Sequence, residues 1–228
     1  MTRTTQHLFH TAFLCLGLLL VLNSPASRAA PVPTPPNIAA TAYLLQDFNS
    51  GRILASERAT ERVEPASLTK LMTAYIVFSE LRDGRLQLSD EVRISEKAWR
   101  TPGSRTFVEV GSKVSVEDLL RGIIVQSGND ATVAEHIAGS EDVFAELMNQ
   151  QAMSLGMVGS HFVNSTGLPH PDHYTTAQDL ATLTTVLIKA FPDYYQWYDA
   201  REFTYHGISK HNRNKLLWRD NSVDGVKT

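Results

Sequence analysis

The order of secondary-structure signals along the 228 residues predicts an α/β (α+β) domain in which helices flank an antiparallel sheet. Three observations carry that expectation. A β-hairpin pattern opens the ordered part of the chain, helical patterns fill its middle, and short β-prone runs return after Pro192. A chain that starts and finishes on strands can assemble one sheet from both of its ends.

The hairpin is read from residues 41–48 and 52–56, separated by Asn49-Ser50-Gly51, three turn-forming residues that include a glycine. After Pro65, residues 66–81 are apolar on nearly every side, through Leu68, Leu71, Met72, Ala74, Tyr75, Ile76, Val77 and Phe78, and Asp83-Gly84 closes the run. A helix with so little polar face is expected to be buried. Ser115 with Asp118 has the form of a capping box opening a helix to Val125. A break at Ser127-Gly128-Asn129 precedes a helical pattern over residues 131–138. Amphipathic helices are read over 142–155 and 176–190, the second capped by Thr175 or Thr176. The returning β-prone runs are 202–206, 216–218 and 223–228.

With 43% hydrophobic residues, the chain can bury one sizeable core, or one domain and part of another. Its formal charge is −3, and no basic stripe is visible, which argues against nucleic acid as a partner. Residues 1–29 hold Arg3 and Arg28 and no acid. They pass from a polar start through an apolar run (12–22) to Asn23-Ser24-Pro25 and the small-residue site Ser27-Arg28-Ala29, the pattern of a signal peptide. Eleven apolar residues fall short of the roughly 20 that span a bilayer. Export is therefore expected. Residues 30–37 form a Pro-rich tether. The only cysteine, Cys15, lies in the apolar run, so the mature chain would have no thiol and could form no disulfide or Cys-based zinc site.

Three short motifs carry chemistry. Ser67 is followed by Lys70 at a spacing that puts both on one helical face, and burial would favour the neutral amine, a base able to take the serine proton. Ser127 and Asn129 lie in the break between two helices, where a hydroxyl can pass a proton and an amide can hold a carbonyl or an amine. Lys227 and Thr228 bring a cation and a hydroxyl to a strand. Each has an ordinary structural reading when taken alone: cap serine and surface lysine, helix-to-helix turn, strand end.

In that order, in an exported chain, they resemble the penicillin-binding protein and serine β-lactamase superfamily. Longer segments narrow the likeness: Pro65-Ala66-Ser67-Leu68-Thr69-Lys70-Leu71-Met72-Thr73, Val125-Gln126-Ser127-Gly128-Asn129-Asp130-Ala131, Asn164-Ser165-Thr166-Gly167-Leu168, and Ser222-Val223-Asp224-Gly225-Val226-Lys227-Thr228. From about Ile38 onward the chain resembles the low-molecular-weight penicillin-binding proteins, serine-type D-alanyl-D-alanine carboxypeptidases of the peptidase S11 kind. The resemblance implies that Ser67 attacks the carbonyl between the two terminal D-alanines of a peptidoglycan stem peptide, with Lys70 as general base. It implies that Ser127 relays the proton, Asn129 positions substrate, and Lys227 with Thr228 faces the terminal carboxylate. The Ser67 N–H would stabilise the oxyanion. β-Lactam antibiotics would acylate the same serine, no metal or cofactor is required, and the place of action would be the periplasm, at the inner-membrane face. His170, Asp172 and His173 are read as solvated loop residues rather than as part of the site.

The family's third motif is Lys-Thr-Gly, whereas this chain ends at Thr228. Residues 38–228 are therefore expected to be an incomplete catalytic domain, either part of a longer protein or a truncated product. Membrane association is expected only through a C-terminal amphipathic helix that the chain lacks. Two alternatives stay open: a serine β-lactamase, which would need a carboxylate base in a stretch, Ser154 to Tyr198, that holds no Glu, and an inactive wall-binding fragment.

Overall fold

In a computed structural model, which describes residues 34–35, 37–103, 109–129 and 132–227, strands Tyr43–Gln46 and Ile53–Glu57 form the expected antiparallel hairpin. Tyr43 lies opposite Glu57, and the register shifts between Leu45 and Gln46. The Asp47 carboxylate organises the turn, accepting from the Ser50 N–H at 2.8 Å and from its hydroxyl, and Gly51 takes φ 71° at the turn's end. Residues 39–228 make one compact body. The expected signal peptide lies outside the described residues, as does Thr228.

A 3-10 turn, Ala66–Thr69, leads directly into the helix Lys70–Arg82, and every side chain from Thr69 to Phe78 is buried. The helix is enclosed because four others pack on it: Val116–Gln126, Thr132–Ala138, Glu141–Ser154 and Ala177–Ala190. Leu71, Met72, Ile76 and Phe78 join Leu119, Leu120, Phe144, Met148 and Leu183 in one core. Each such burial contributes roughly 1.5–3 kcal/mol, so apolar packing fixes the residues just after Ser67. Tyr75 meets Phe191 edge-on at 5.3 Å, and Phe78 stacks on Tyr194 at 4.7 Å.

The surrounding helices begin where their caps were read. The Ser115 hydroxyl accepts from the Asp118 N–H and donates to its carboxylate, and the Thr176 hydroxyl accepts from the Asp179 N–H at 3.0 Å. Thr176 is therefore the cap of Ala177–Ala190.

Mixed helices and short antiparallel strands are found, as expected, but the strands are arranged differently. Among the described residues they form three separate two-stranded ladders, the others being Glu91–Arg93 with Lys113–Ser115 and Glu202–Tyr205 with Ile208–His211. Residues 223–227 form no ladder, because side chains and a turn take the backbone groups a strand would need. The Val223 N–H donates to the Asp220 carbonyl, and the Asn214 amide donates to the Gly225 carbonyl at 3.1 Å. The β-prone run 216–218 is instead a 3-10 turn, Lys215–Trp218, because the Asn214 side chain accepts from the Leu216 N–H and bends the backbone.

Candidate active site

The residue ahead of the candidate nucleophile is strained. Ala66 has φ 46°, a left-handed conformation uncommon for a residue with a side chain, and Ser67 follows it at the start of the 3-10 turn. One helical turn on, Lys70 is only 3% exposed, and its Nζ donates to Asn129 Oδ1 and to the Thr166 carbonyl, both at 2.6 Å. A lysine in such a place is bound by dipoles rather than left to water, and burial disfavours its charged form.

The Thr166 carbonyl is aimed by a loop built around a single atom. Asn164 Oδ1 accepts from the N–H groups of Thr166, Gly167 and Leu168, at 3.1, 2.7 and 3.1 Å. Thr73, almost one turn beyond Lys70, donates its hydroxyl to the Ser165 carbonyl at 2.7 Å. Gly167, with φ 86°, lies so close behind the nucleophile that a Cβ there would come within 1.7 Å of the Ala66 carbonyl oxygen. The Asn164–Leu168 segment was legible as part of the resemblance; its work as a cradle for residues 66–73 was not.

His173 corrects the sequence reading. His170 and Asp172 are exposed, but His173 is 2% exposed, with Nδ1 accepting from the Val163 N–H at 3.1 Å and Nε2 at 2.8 Å from the Thr69 hydroxyl. Since Nδ1 accepts, the neutral ring carries its proton on Nε2 and donates it to Thr69. Burial, helped by repulsion from the neighbouring His161 and His170, pushes its pKa down to about 4.

Ser127 closes the helix Val116–Gln126 in the left-handed region, φ 58° and ψ 35°, and so turns the chain back toward Lys70. Asn129 bridges two segments, its Oδ1 on Lys70 and its amide donating to the Pro102 carbonyl at 2.6 Å. Ser67, Lys70, Ser127 and Asn129 thus line one cleft of about 570 Å³, together with Thr166 and Gly167. The cleft also has a wall that sequence reasoning missed, made by Asn212, Arg213 and Lys215. The signal was present as an alternation of amides and cations over residues 212–215. Lys227 lines not this cleft but the neighbouring cavity, about 530 Å³, between the first hairpin and the helix Ala177–Ala190. Burial lowers its pKa to about 7, and the positive charges of Lys70 and Arg213 push the same way, which places it within electrostatic reach of the cleft.

The chain has counterparts among known proteins. The family described as D-alanyl-D-alanine carboxypeptidase, peptidase S11, matches residues 29–228. The D-alanyl-D-alanine carboxypeptidase DacA of Haemophilus influenzae is 40% identical over 232 residues, covering 99% of this chain and 58% of the relative. Penicillin binding protein 5 of the same organism superposes with a TM-score of 0.82 at 40% identity, over 86% of this chain and 59% of that one. Penicillin-binding protein D2 of Listeria monocytogenes, solved in its ampicillin-bound form, gives a TM-score of 0.74 at 27% identity, over 85% of this chain and 81% of that one. The chain spans little more than half the length of the first of these relatives. With the matched segment running through the Ser67, Ser127 and Lys227 motifs, the chain belongs to the peptidase S11 family of D-alanyl-D-alanine carboxypeptidases.

Proposed function

We propose that the protein is a serine-type D-alanyl-D-alanine carboxypeptidase that trims the last D-alanine from peptidoglycan stem peptides through an acyl-enzyme on Ser67. The observation that carries this reading is the placement of Lys70, buried one helical turn from Ser67 with Nζ donating to Asn129 Oδ1 and to the Thr166 carbonyl. Burial favours the neutral amine, and a neutral amine can take the proton of Ser67. Ser67 Oγ bonds to the carbonyl carbon, its proton passes to Lys70, and the Ser67 N–H supports the oxyanion. Ser127 carries the proton to the departing amine of D-alanine, Asn129 holds Lys70 in place, and Lys227 with Thr228 takes the terminal carboxylate. Water then attacks the ester and frees the serine.

The same serine would be acylated by β-lactams, a reading supported by the ampicillin-bound form of the Listeria monocytogenes protein. Residues 1–29 act as a signal peptide and 30–37 as a tether, so that the catalytic part, from residue 38 on, works outside the cytoplasmic membrane. The test is release of D-alanine from a synthetic peptide ending in D-Ala-D-Ala. Wild type releases it, Ser67→Ala does not, and Lys70→Arg, which keeps the charge but not the basicity, loses at least about 100-fold. Undiminished release by Ser67→Ala would overturn the reading.

A further inference from the structure

The wall formed by residues 212–215 is built in alternation. Asn212 and Asn214 are buried, while Arg213 and Lys215 are exposed. The Asn212 amide donates to the Ala200 carbonyl at 2.9 Å, its side-chain oxygen accepts from the Asn214 N–H at 2.9 Å, and the Asn214 amide holds the Gly225 carbonyl. Anchored on both inward positions, the segment has little freedom to turn its two cations away from the cleft they line.

Nothing among the described residues uses the Lys215 charge. Among the described residues no carboxylate pairs with Lys215 or Arg213, and none lines the cleft, whose ionisable groups are Lys70, Arg213 and Lys215. A cleft lined by one sign of charge selects the opposite sign in its ligand. The positive charges also divide. Arg213 lines the cleft and its charge reaches Lys227 in the neighbouring cavity, so the peptide's terminal carboxylate is assigned to that side of the cleft. Lys215 is not among the charges that act on Lys227, and one carboxylate placed there leaves it unmatched.

We infer that Lys215 reads a second carboxylate, so that the cleft prefers peptides with a free side-chain carboxylate ahead of the D-Ala-D-Ala end. This rests on the carboxypeptidase reading above and names the substrate class within it. The preferred peptide is an acyl donor with two negative charges, one at its C-terminus and one on an upstream side chain; the same peptide with that side chain amidated is the poorer substrate.

The experiment compares D-alanine release, as kcat/KM, from two synthetic peptides that differ only in a free or an amidated side-chain carboxylate on the residue preceding D-Ala-D-Ala. Wild type is expected to favour the free carboxylate roughly twofold to fivefold at low salt, as fits a partly exposed charge pair, and the preference should shrink as salt is added. In Lys215→Met the ratio should fall to about one, and in Lys215→Glu it should invert. Equal rates in wild type, or a ratio that survives in Lys215→Met, overturn the inference and leave the carboxypeptidase reading standing. Failure to release D-alanine from either peptide overturns that reading, and the inference with it.

Discussion

Two of the segments that line the cleft are held in place by different forces. Residues 66–82 are positioned by apolar burial, with every side chain from Thr69 to Phe78 inside the core. Residues 211–227 have few apolar anchors and depend on amide side chains: Gln126 donates to the His211 carbonyl at 2.7 Å, Asn212 to Ala200, and Asn214 to Gly225. The first segment carries the proposed nucleophile and base, whose separation must be fixed closely for proton transfer. The second carries Arg213, Lys215 and Lys227, charges that act over longer distances and tolerate a looser frame. Rigidity is concentrated where the chemistry needs it.

That difference can be broken most severely at Gly167. A Cβ placed 1.7 Å from the Ala66 carbonyl, on a residue with φ 86°, forces the nucleophile turn to move. Gly167→Ala is expected to cost about 3 kcal/mol or more in denaturant unfolding and to abolish acylation even where the protein still folds. Unchanged stability in that variant would show that the cradle is looser than its geometry.

His173 provides a pH-dependent lever on the same segment. Its pKa is about 4 when folded and about 6.5 when unfolded, so below pH 6.5 the unfolded chain binds a proton that the folded chain refuses. Stability from this group is full above pH 6.5 and is lost as pH falls toward 4, by at most about 3 kcal/mol. Thermal melts of wild type and His173→Gln across that range should diverge, with the wild type falling more steeply. Parallel curves would mean that the ring is protonated or released without penalty.

The second segment should respond to the loss of one amide. Asn214→Ala removes the acceptor of the Leu216 N–H and the donor to the Gly225 carbonyl, at a cost of about 1–3 kcal/mol. Asn214→Asp keeps the first bond and loses the second, so its melting temperature should fall between the other two.

The smallest expected effect is on binding. Lys227 loses its charge as pH rises through about 7, so KM for a peptide with a free C-terminal carboxylate should climb above that pH, with kcat less affected. In Lys227→Arg, which stays charged, the rise should disappear.

The same contrast explains what the sequence made legible. Apolar periodicity and caps marked the helices at Ser115, Thr176 and residues 70–82 because burial and capping leave a local pattern. The Ser67, Lys70, Ser127 and Asn129 set was readable as motifs, and the fold brings all four to one cleft. The Asn212–Lys215 wall was missed because its alternation spans only four residues, and what gives it order is side-chain amides bonding to carbonyls far along the chain. His173 was misread for a related reason: its partners, Thr69 and Val163, are supplied by the tertiary fold. The run 216–218 looked β-prone because propensity cannot register an Asn side chain that bends the backbone just before it.

The central claim is that Ser67, in its strained turn, is the group that forms the acyl-enzyme. Intact-mass spectrometry after incubation with benzylpenicillin tests it most directly. Wild type should gain the mass of one penicillin molecule, located by peptide mapping to Ser67, and Ser67→Ala should gain none. An adduct of the same mass in Ser67→Ala, or one mapped to another residue in wild type, would contradict the account.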